Sequence, residues 1–278
     1  MKEPVPSTAF ADAWIQVDRT ENPDFFVKLL DATRAELLER ARLSPAAFFA
    51  HLDIRPEHRV LDAGCGTGDL LRLLADLVPD GSAVGIDLSE TMVTEARRRT
   101  HDGSPNLSFQ MGDVQALSFD DGTFDRVMAT QLLLHVPDPQ RALAEMHRVL
   151  VPGGLISVRE IDWGTVAVQS TDRELSRRFT RLACDELRNG LIARELPWRL
   201  RDAGFEDVRI ASRVDVAQDI DAFHRWFVQP AMTHFTRIGG FSAAEATRFL
   251  DDLDERARAG TYFSSRTFFS VVAARRRR

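Results

Sequence analysis

Apolar positions follow a helical period near the N-terminus and change to short apolar runs further along the chain. Within residues 24–43, apolar side chains recur at helical spacing, at Phe26, Leu29, Leu30, Leu37 and Leu38. This spacing predicts a helix with one buried face. Ser44 and Pro45 then have the residue types of a helix N-cap and first turn. We therefore predict that residues 1–54 form a helical N-terminal segment that caps the rest of the protein.

Five short apolar runs follow, separated by stretches of helical character. The predicted strands cover residues 60–63, 83–86, 107–111, 124–129 and 155–161. Helices are predicted at about residues 69–78, after the N-cap residue Ser89, and after Asp138-Pro139. Strands that are apolar almost throughout, joined by helices, predict a mainly parallel, doubly wound α/β sheet with both faces covered.

The pattern changes after Ile161. Two pairs of residues have the spacing of a helix capping box: Thr171 with Glu174, and Ser242 with Glu245. Two more strands are predicted at residues 207–214 and 267–273, with a helical insert at 220–238 between them. Because a helical segment separates these late strands, we expect an antiparallel pair at one edge of the sheet, which brings it to seven strands.

Aromatic side chains are concentrated in this last region. Residues 205–269 contain nine Phe, Trp226 and Tyr262, which are 11 of the 23 aromatic residues in the chain. One interpretation is that the helical insert needs a core of its own. The other is a lid at about residues 215–260, lined with rings and suited to a fairly apolar organic substrate. The two interpretations are compatible, and both stay open at this point.

Composition excludes several classes of protein. The formal net charge is −6, which argues against a general nucleic-acid-binding face, and 44% hydrophobic residues are typical of an ordinary globular core. No run approaches 18 apolar residues, so no membrane span is expected, and the first residues lack the apolar core of a secretory signal. Cys65 and Cys184 have no paired spacing, so we expect neither a metal site nor a disulfide framework, and a cytoplasmic protein.

A glycine-rich loop follows the first predicted strand. In an open parallel sheet, ligands bind at the carboxyl ends of the strands, and this loop reads Gly64-Cys65-Gly66-Thr67-Gly68. Asp87 ends the second strand, where a carboxylate would accept both hydroxyls of a ribose. The loop is G-x-G-x-G rather than the G-x-G-x-x-G of nicotinamide-dependent dehydrogenases, and it has no lysine of the triphosphate-binding type. These features favour a nucleoside ligand without a pyrophosphate.

The run from Val60 to Gly68 resembles the first motif of class I S-adenosylmethionine (SAM)-dependent methyltransferases. Four further segments match the family at its usual distances: 85–89, 112–114, 124–127 and 150–154. The resemblance covers roughly residues 55–165 and is greatest to small-molecule enzymes of the menaquinone/ubiquinone-methyltransferase type. It implies a Rossmann-like SAM-binding core in that range, with residues 166–278 completing the sheet and carrying the lid.

The resemblance also implies which residues contact each part of SAM. The methionyl end is assigned to Asp62, Gly64, Cys65, Gly66, Thr67, Thr130 and Gln131, the ribose to Asp87, and the adenine to Leu88, Met92, Asp113 and Val114. Two of these positions have a competing structural interpretation. Met92 is also suited to an ordinary helix core, and Asp62 to ordering the N–H groups of the loop.

Candidate residues for the acceptor side lie in several parts of the chain. His135 follows the fourth strand, and an ordinary histidine pKa suits proton transfer at neutral pH, so a catalytic base and a purely local structural role are both open. Strand alternation puts Glu160 and Asp162 on one side of the fifth strand. We predict acceptor contacts from His135, Asp162, Trp163, Trp14 and His224.

The resemblance implies an enzyme that transfers a methyl group from SAM to a small, fairly apolar organic acceptor, of the kind found in secondary-metabolite or quinone biosynthesis, and releases S-adenosylhomocysteine (SAH). Oxygen, nitrogen and carbon all remain open as the accepting atom. The alternative is a SAM-binding protein of the same fold that does not methylate, such as a cyclase or a regulator. We expect no nucleic-acid partner, and a homodimer stays open.

Overall fold

The computed structural model describes residues 13–100 and 104–277. Their central feature is a seven-stranded sheet in the order β3-β2-β1-β4-β5-β7-β6. The strands are β1 Arg59–Ala63, β2 Ser82–Asp87, β3 Leu107–Met111, β4 Phe124–Thr130, β5 Leu150–Val168, β6 Phe205–Ala217 and β7 Ser264–Arg275. His101 lies outside the described residues.

The helices pack on both faces of the sheet and over one end of it. They are α1 Pro23–Leu43, α2 Pro45–Phe48, α3 Asp69–Ala75, α4 Glu90–Arg98, α5 Pro139–Val149, α6 Arg173–Asp185, α7 Ile192–Asp202, α8 Gln229–Arg237 and α9 Ala243–Arg258. Short 3₁₀ turns at Ala13–Arg19 and Ala50–Leu52, and a π-helical turn at His224–Val228, complete the description. Within the described ranges, no helix is both long enough and apolar enough to cross a bilayer.

Strand directions confirm the predicted architecture. Strands β1 to β5 pair in parallel, and β7 runs antiparallel between β5 and the edge strand β6. This is the doubly wound, mainly parallel sheet with an antiparallel edge pair, and its order is that of a Rossmann-like fold. Strand β5 is longer than predicted because its C-terminal half continues beyond β4 and pairs with β7 as far as Val168.

Helix starts are mostly where the capping residues predict them. Ser89 accepts the backbone N–H of Met92, and Asp138 accepts that of Arg141. The predicted capping box at Thr171 is wrong, because Asp172 is the N-cap of α6. The Thr171 hydroxyl instead donates to Asp252 of α9, 2.8 Å away, so a tertiary contact decides which of two neighbouring polar residues caps the helix.

The capping box of α9 is confirmed and provides a stability test. The Ser242 hydroxyl accepts the Glu245 N–H at 3.3 Å, and the Glu245 carboxylate accepts the Ser242 N–H at 2.9 Å. We expect Ser242→Ala to lower the free energy of unfolding by about 1 kcal/mol because the first turn loses an acceptor. Ser242→Thr, measured in the same urea titration, should retain most of the stability; equal losses in both variants would contradict the cap.

The aromatic-rich region contributes rings to the core of the protein and to the wall of a cavity. Phe235 and Phe249 are completely buried and pack against Phe179 of α6, with ring centroids 5.6 and 5.3 Å away. Phe223 and Trp226, by contrast, face a cavity next to the sheet. These buried rings belong to the apolar core of the sheet rather than to a separate core, and the insert also contributes rings to a cavity wall.

Candidate cofactor and acceptor site

A cavity of about 440 Å³ lies at the carboxyl ends of the parallel strands. Loops after β1 to β4 form its floor, and helix α1, the turn at Ala13–Arg19 and the aromatic insert enclose it. This is the sheet end at which open α/β folds bind ligands. Its size is within the range of small-molecule sites, which is about 300–1,000 Å³.

The glycine loop forms a narrow cradle at this cavity. The N–H groups of Gly64 and Cys65 both donate to the Ile86 carbonyl at 2.9 Å, so the loop is held against β2. Gly64 and Gly66 line the cavity with φ of 71° and 55°, values that favour glycine. A Cβ on Gly64 would lie 2.6 Å from Leu132 Cδ1. The backbone can thus approach a ligand only because side chains are absent here.

Two loop residues assigned to the cofactor point away from the cavity wall. The Cys65 thiol is buried, and burial raises its pKa well above the usual value, with Asp62 and Asp87 adding to the rise. The Thr67 hydroxyl donates to Asp69 at 2.7 Å. Neither residue lines the cavity, in contrast to the prediction.

Asp87 joins the loop to the end of β2. One carboxylate oxygen accepts the Gly66 N–H at 2.9 Å, and the other accepts the Ser89 N–H at 3.0 Å. Burial raises the pKa of Asp87, while these two N–H groups and Arg34 lower it. Since each carboxylate oxygen has two lone pairs, both can accept a further hydrogen bond from a ligand in the cavity, which Asp87 lines.

The residues assigned to adenine come together on one side of the cavity. Leu88, Met92, Asp113 and Val114 all line it. Met92 is 2% exposed and also belongs to a small apolar cluster with the N-terminal helix, which bears out the helix-core interpretation. Its contact with adenine stays a prediction. Asp113 accepts from the backbone N–H of Gln115 at 2.8 Å, which orients its carboxylate at the end of β3.

Only some of the residues predicted to contact the methionyl end of SAM line the cavity. Gln131 lines the cavity, but Asp62 and Thr130 lie behind the wall. Burial raises the pKa of Asp62 to about 7, and Arg34 opposes this rise. Arg34 is the functional candidate that the sequence analysis missed: it lines the cavity, is 7% exposed and donates to the Thr130 carbonyl at 2.9 Å. In the sequence, the feature that could have indicated this role is an arginine between Leu30 and Leu38, on the apolar face of α1.

Two of the predicted acceptor residues meet at the cavity. The ring of Trp14 lies 5.5 Å from that of His135, and both line the wall. Asp18 fixes the turn that carries Trp14, because its carboxylate accepts the Ser89 hydroxyl and the N–H of Thr91 at the start of α4.

The imidazole of His135 is uncharged at neutral pH. Burial lowers its pKa to about 3, and the cations of Arg34 and Arg188 add to the effect. Within the described residues, its Nδ1 is buried and has no hydrogen-bond partner. A base with so low a pKa accepts protons poorly, whereas a neutral ring with an unused nitrogen is suited to hydrogen-bonding a ligand.

Asp162 and His224 are not at the cavity, in contrast to the prediction. Arg159, Ile161 and Trp163 occupy the face of β5 that lines the cavity, so the alternation places Asp162 on the opposite face. There its carboxylate accepts two hydrogen bonds from the Arg194 guanidinium, at 2.7 and 2.8 Å. His224 is completely buried, with Nδ1 3.3 Å from the Tyr262 hydroxyl. Trp163 does line the cavity.

Glu160, also on the far face of β5, supports the loop that carries His135. Its Oε1 accepts the N–H groups of Leu132 and Leu133 at 2.9 and 2.6 Å, while Oε2 is buried without a partner among the described residues. Burial raises the pKa of Glu160 to about 8, and the two N–H groups oppose the rise. The folded protein therefore holds this proton more tightly than the unfolded chain does.

The raised pKa of Glu160 predicts how the free energy of unfolding depends on pH. Between the ordinary glutamate pKa and about 8, the native state binds more protons, so the free energy of unfolding should fall as pH rises through that window. Glu160→Gln removes the titration and keeps an oxygen for the loop N–H groups. We expect urea titrations at pH 5 and pH 8 to differ less for this variant than for the wild type. An equal difference in both proteins would contradict the raised pKa.

Comparisons with known proteins show which family this chain resembles. The methyltransferase-domain family matches residues 60–154. An uncharacterised 37.1 kDa protein of transposon TN4556 from Streptomyces fradiae is 37% identical over 238 residues, covering 84% of this chain and 68% of that protein. Demethylmenaquinone methyltransferase of Symbiobacterium thermophilum is 38% identical over 138 residues, covering 48% of this chain and 52% of that enzyme. This chain thus spans about half of that named relative.

A solved structure shares the fold over a longer stretch. The YcgJ protein from Bacillus subtilis has a TM-score of 0.58 at 20% identity, with 84% of this chain and 97% of that chain covered. The matched family segment runs from β1 to the start of β5 and includes the glycine loop, Asp87 and Asp113. This chain therefore belongs to the class I SAM-dependent methyltransferases, the family whose cofactor is SAM.

Proposed function

We propose that this protein transfers a methyl group from SAM to a small, fairly apolar organic acceptor. The observation that carries the proposal is one continuous cavity with two chemically different ends. One end has the glycine cradle with the carboxylates of Asp87 and Asp113, and the other has the rings of Trp14, Trp163 and Phe223. A polar nucleoside and an apolar acceptor each find matching surroundings within the same enclosure.

The residues present fit SAM. The cradle at Gly64 and Gly66 has no room for a Cβ, and Asp87 has lone pairs left for the ribose hydroxyls. Asp113 would accept the adenine amino group, next to Met92. Arg34 and Gln131, at the other side of the loop, would hold the amino-acid end. When bound, SAM supplies an electrophilic methyl group on a positively charged sulfur.

The remaining task of the protein is to position the acceptor and exclude water. Trp14 and Trp163 would hold a flat acceptor, and the unused Nδ1 of His135 would hydrogen-bond one of its polar atoms. Positioning of this kind contributes on the order of 7–11 kcal/mol in favourable cases. We propose that His135 orients the acceptor rather than takes its proton, because its pKa of about 3 makes it a weak base.

The similarity to demethylmenaquinone methyltransferase supports a ring-bearing acceptor of the quinone or secondary-metabolite type. The accepting atom stays open between oxygen, nitrogen and carbon. The alternative, a SAM-binding protein that rearranges its substrate without methylating it, uses the same cofactor residues and differs only in what is released.

One experiment separates these possibilities. The purified protein is incubated with SAM and a collection of hydroxylated naphthalenes and quinols, and SAH and the products are followed by mass spectrometry. We expect SAH release that depends on the acceptor, with a product heavier by one methyl group in place of hydrogen. Conversion of a compound to an isomer without SAH release would favour the alternative. Failure to bind SAH at millimolar concentration would overturn both.

A further inference from the structure

The acceptor end of the cavity contains charged side chains among its rings. Arg159 of β5 lines the cavity, and its guanidinium carbon lies 3.9 Å from the centroid of the Phe268 ring on β7. Phe268 is directly opposite Ile161 in the β5–β7 register, so the ring and the guanidinium belong to the same face of the sheet. A cation held over an aromatic ring in this way keeps its donors available for a ligand.

The carboxylates at this end of the cavity already have partners. Arg213 contacts Asp215 at 2.5 Å and Glu36 at 3.0 Å. Arg266 contacts Asp221 at 3.2 Å. Each of the three acids that line this part of the wall, Glu36, Asp215 and Asp221, is thus in contact with an arginine.

Two further arginines that line the cavity, Arg159 and Arg40, have no such carboxylate partner among the described residues. Within residues 13–100 and 104–277, neither guanidinium has a carboxylate within 4.0 Å. Burial lowers the pKa of Arg159 to about 10; Asp215 opposes this from a distance, and Arg40 and Arg34 add to it. Arg159 is thus still charged at neutral pH, in a place where a lone cation is costly.

We propose that the acceptor carries an acidic group, and that Arg159, assisted by Arg40, binds it while the aromatic rings hold the rest of the molecule. This inference rests on the proposed function and narrows its substrate class to aromatic or otherwise flat compounds with a carboxylate or an ionised hydroxyl. An anion at this position is matched by two cations, and the planar guanidinium of Arg159 can donate two parallel hydrogen bonds to a carboxylate.

The proposal fits the chemistry of His135. An acceptor whose ionised oxygen itself receives the methyl group has no proton for a base to remove, which agrees with the low pKa of this histidine. An uncharged acceptor would leave Arg159 desolvated and without a counter-ion, so the site discriminates against it.

Calorimetry with a matched pair of probes tests the proposal. The protein is saturated with SAH and titrated with 2-naphthoate, or with 2-naphthamide as the uncharged analogue. We expect the wild type to bind the carboxylate at least about 10-fold more tightly than the amide. Arg159→Gln should remove the preference, and Arg159→Lys should restore part of it. Equal affinities of the wild type for both probes, or no binding of either, would overturn the proposal.

Controls separate this proposal from the proposed function. Arg199→Gln removes a guanidinium that also lies over a ring, that of Trp198 at 4.6 Å, but outside the cavity, and it should keep the preference. Arg40→Gln should weaken the preference and serves if Arg159→Gln does not fold. SAH affinity, measured separately, tests the cofactor site alone. If Arg159→Gln lowers the affinity for SAH as much as it lowers the affinity for 2-naphthoate, Arg159 binds the cofactor and the proposal is wrong.

Discussion

Asp87→Ala will weaken SAH binding by about 3 kcal/mol, or roughly two orders of magnitude in Kd. The carboxylate has two functions that the substitution removes together. It would accept the ribose hydroxyls, and it already accepts the N–H groups of Gly66 and Ser89. Charge-assisted hydrogen bonds in a buried site contribute more than neutral ones, and the two N–H groups would lose their acceptor. Isothermal titration calorimetry with SAH measures the loss.

A surface variant and a conservative variant make the Asp87 result interpretable. Asp80→Ala removes an exposed carboxylate from the turn after α3 and should leave SAH affinity unchanged. Asp87→Asn keeps one accepting oxygen and should give an intermediate affinity. Circular dichroism checks that each variant is folded. If folded Asp87→Ala binds SAH as the wild type does, the ribose assignment is wrong.

Gly64→Ala will disrupt the cradle and lower SAH affinity by at least about 10-fold, with a loss of stability of about 2–4 kcal/mol. At φ of 71° an alanine is strained, and its Cβ would meet three atoms of the Leu132 side chain at 2.6 to 3.2 Å. Leu132 itself lines the cavity, and its backbone N–H is held by Glu160. Neither the loop nor its neighbour can move without changing the ligand site.

Gly260→Ala is the matched control for this substitution. Gly260, in the turn after α9, has nearly the same φ of 68°, but no other atom lies within 4 Å of a Cβ placed there. Gly260→Ala should therefore lower the free energy of unfolding only through the strain of a positive φ, by about 1 kcal/mol, and should leave SAH affinity unaffected. Urea titration and calorimetry on both variants separate strain from collision. Equal effects on stability in the two variants, with unchanged SAH affinity, would contradict the cradle.

Local sequence signals predicted most of the elements and the cofactor end of the site. Strands β1 to β4 and the helix starts at Ser89 and Asp138 follow from apolar runs and capping residues, which act over a few positions. The glycine loop and Asp87 were identified from the glycine spacing and from the acid at the end of the second strand, and the resemblance assigned them to SAM. Helix α7 was missed because Pro197 lies inside it and interrupts the helical pattern.

At the acceptor end of the cavity, local sequence signals were not enough to predict which side chains face the ligand. Alternation correctly put Glu160 and Asp162 on one face of β5, but their face turned out to be the one away from the cavity. A period of two residues cannot tell which face will meet the insert and α1. Contact between Asp162 and Arg194, 32 positions apart, depends on how α7 packs on the sheet.

The order of amino acids is enough to predict the strand and helix pattern, the glycine loop and the acids at the strand ends, because these depend on backbone preferences and on neighbours a few residues away. The folded chain was needed to show that Arg34 and Arg159 face the cavity, that Asp162 and His224 do not, and that the His135 ring stays neutral. Those properties depend on burial and on which charges come close, and both are set by residues that are distant in the chain.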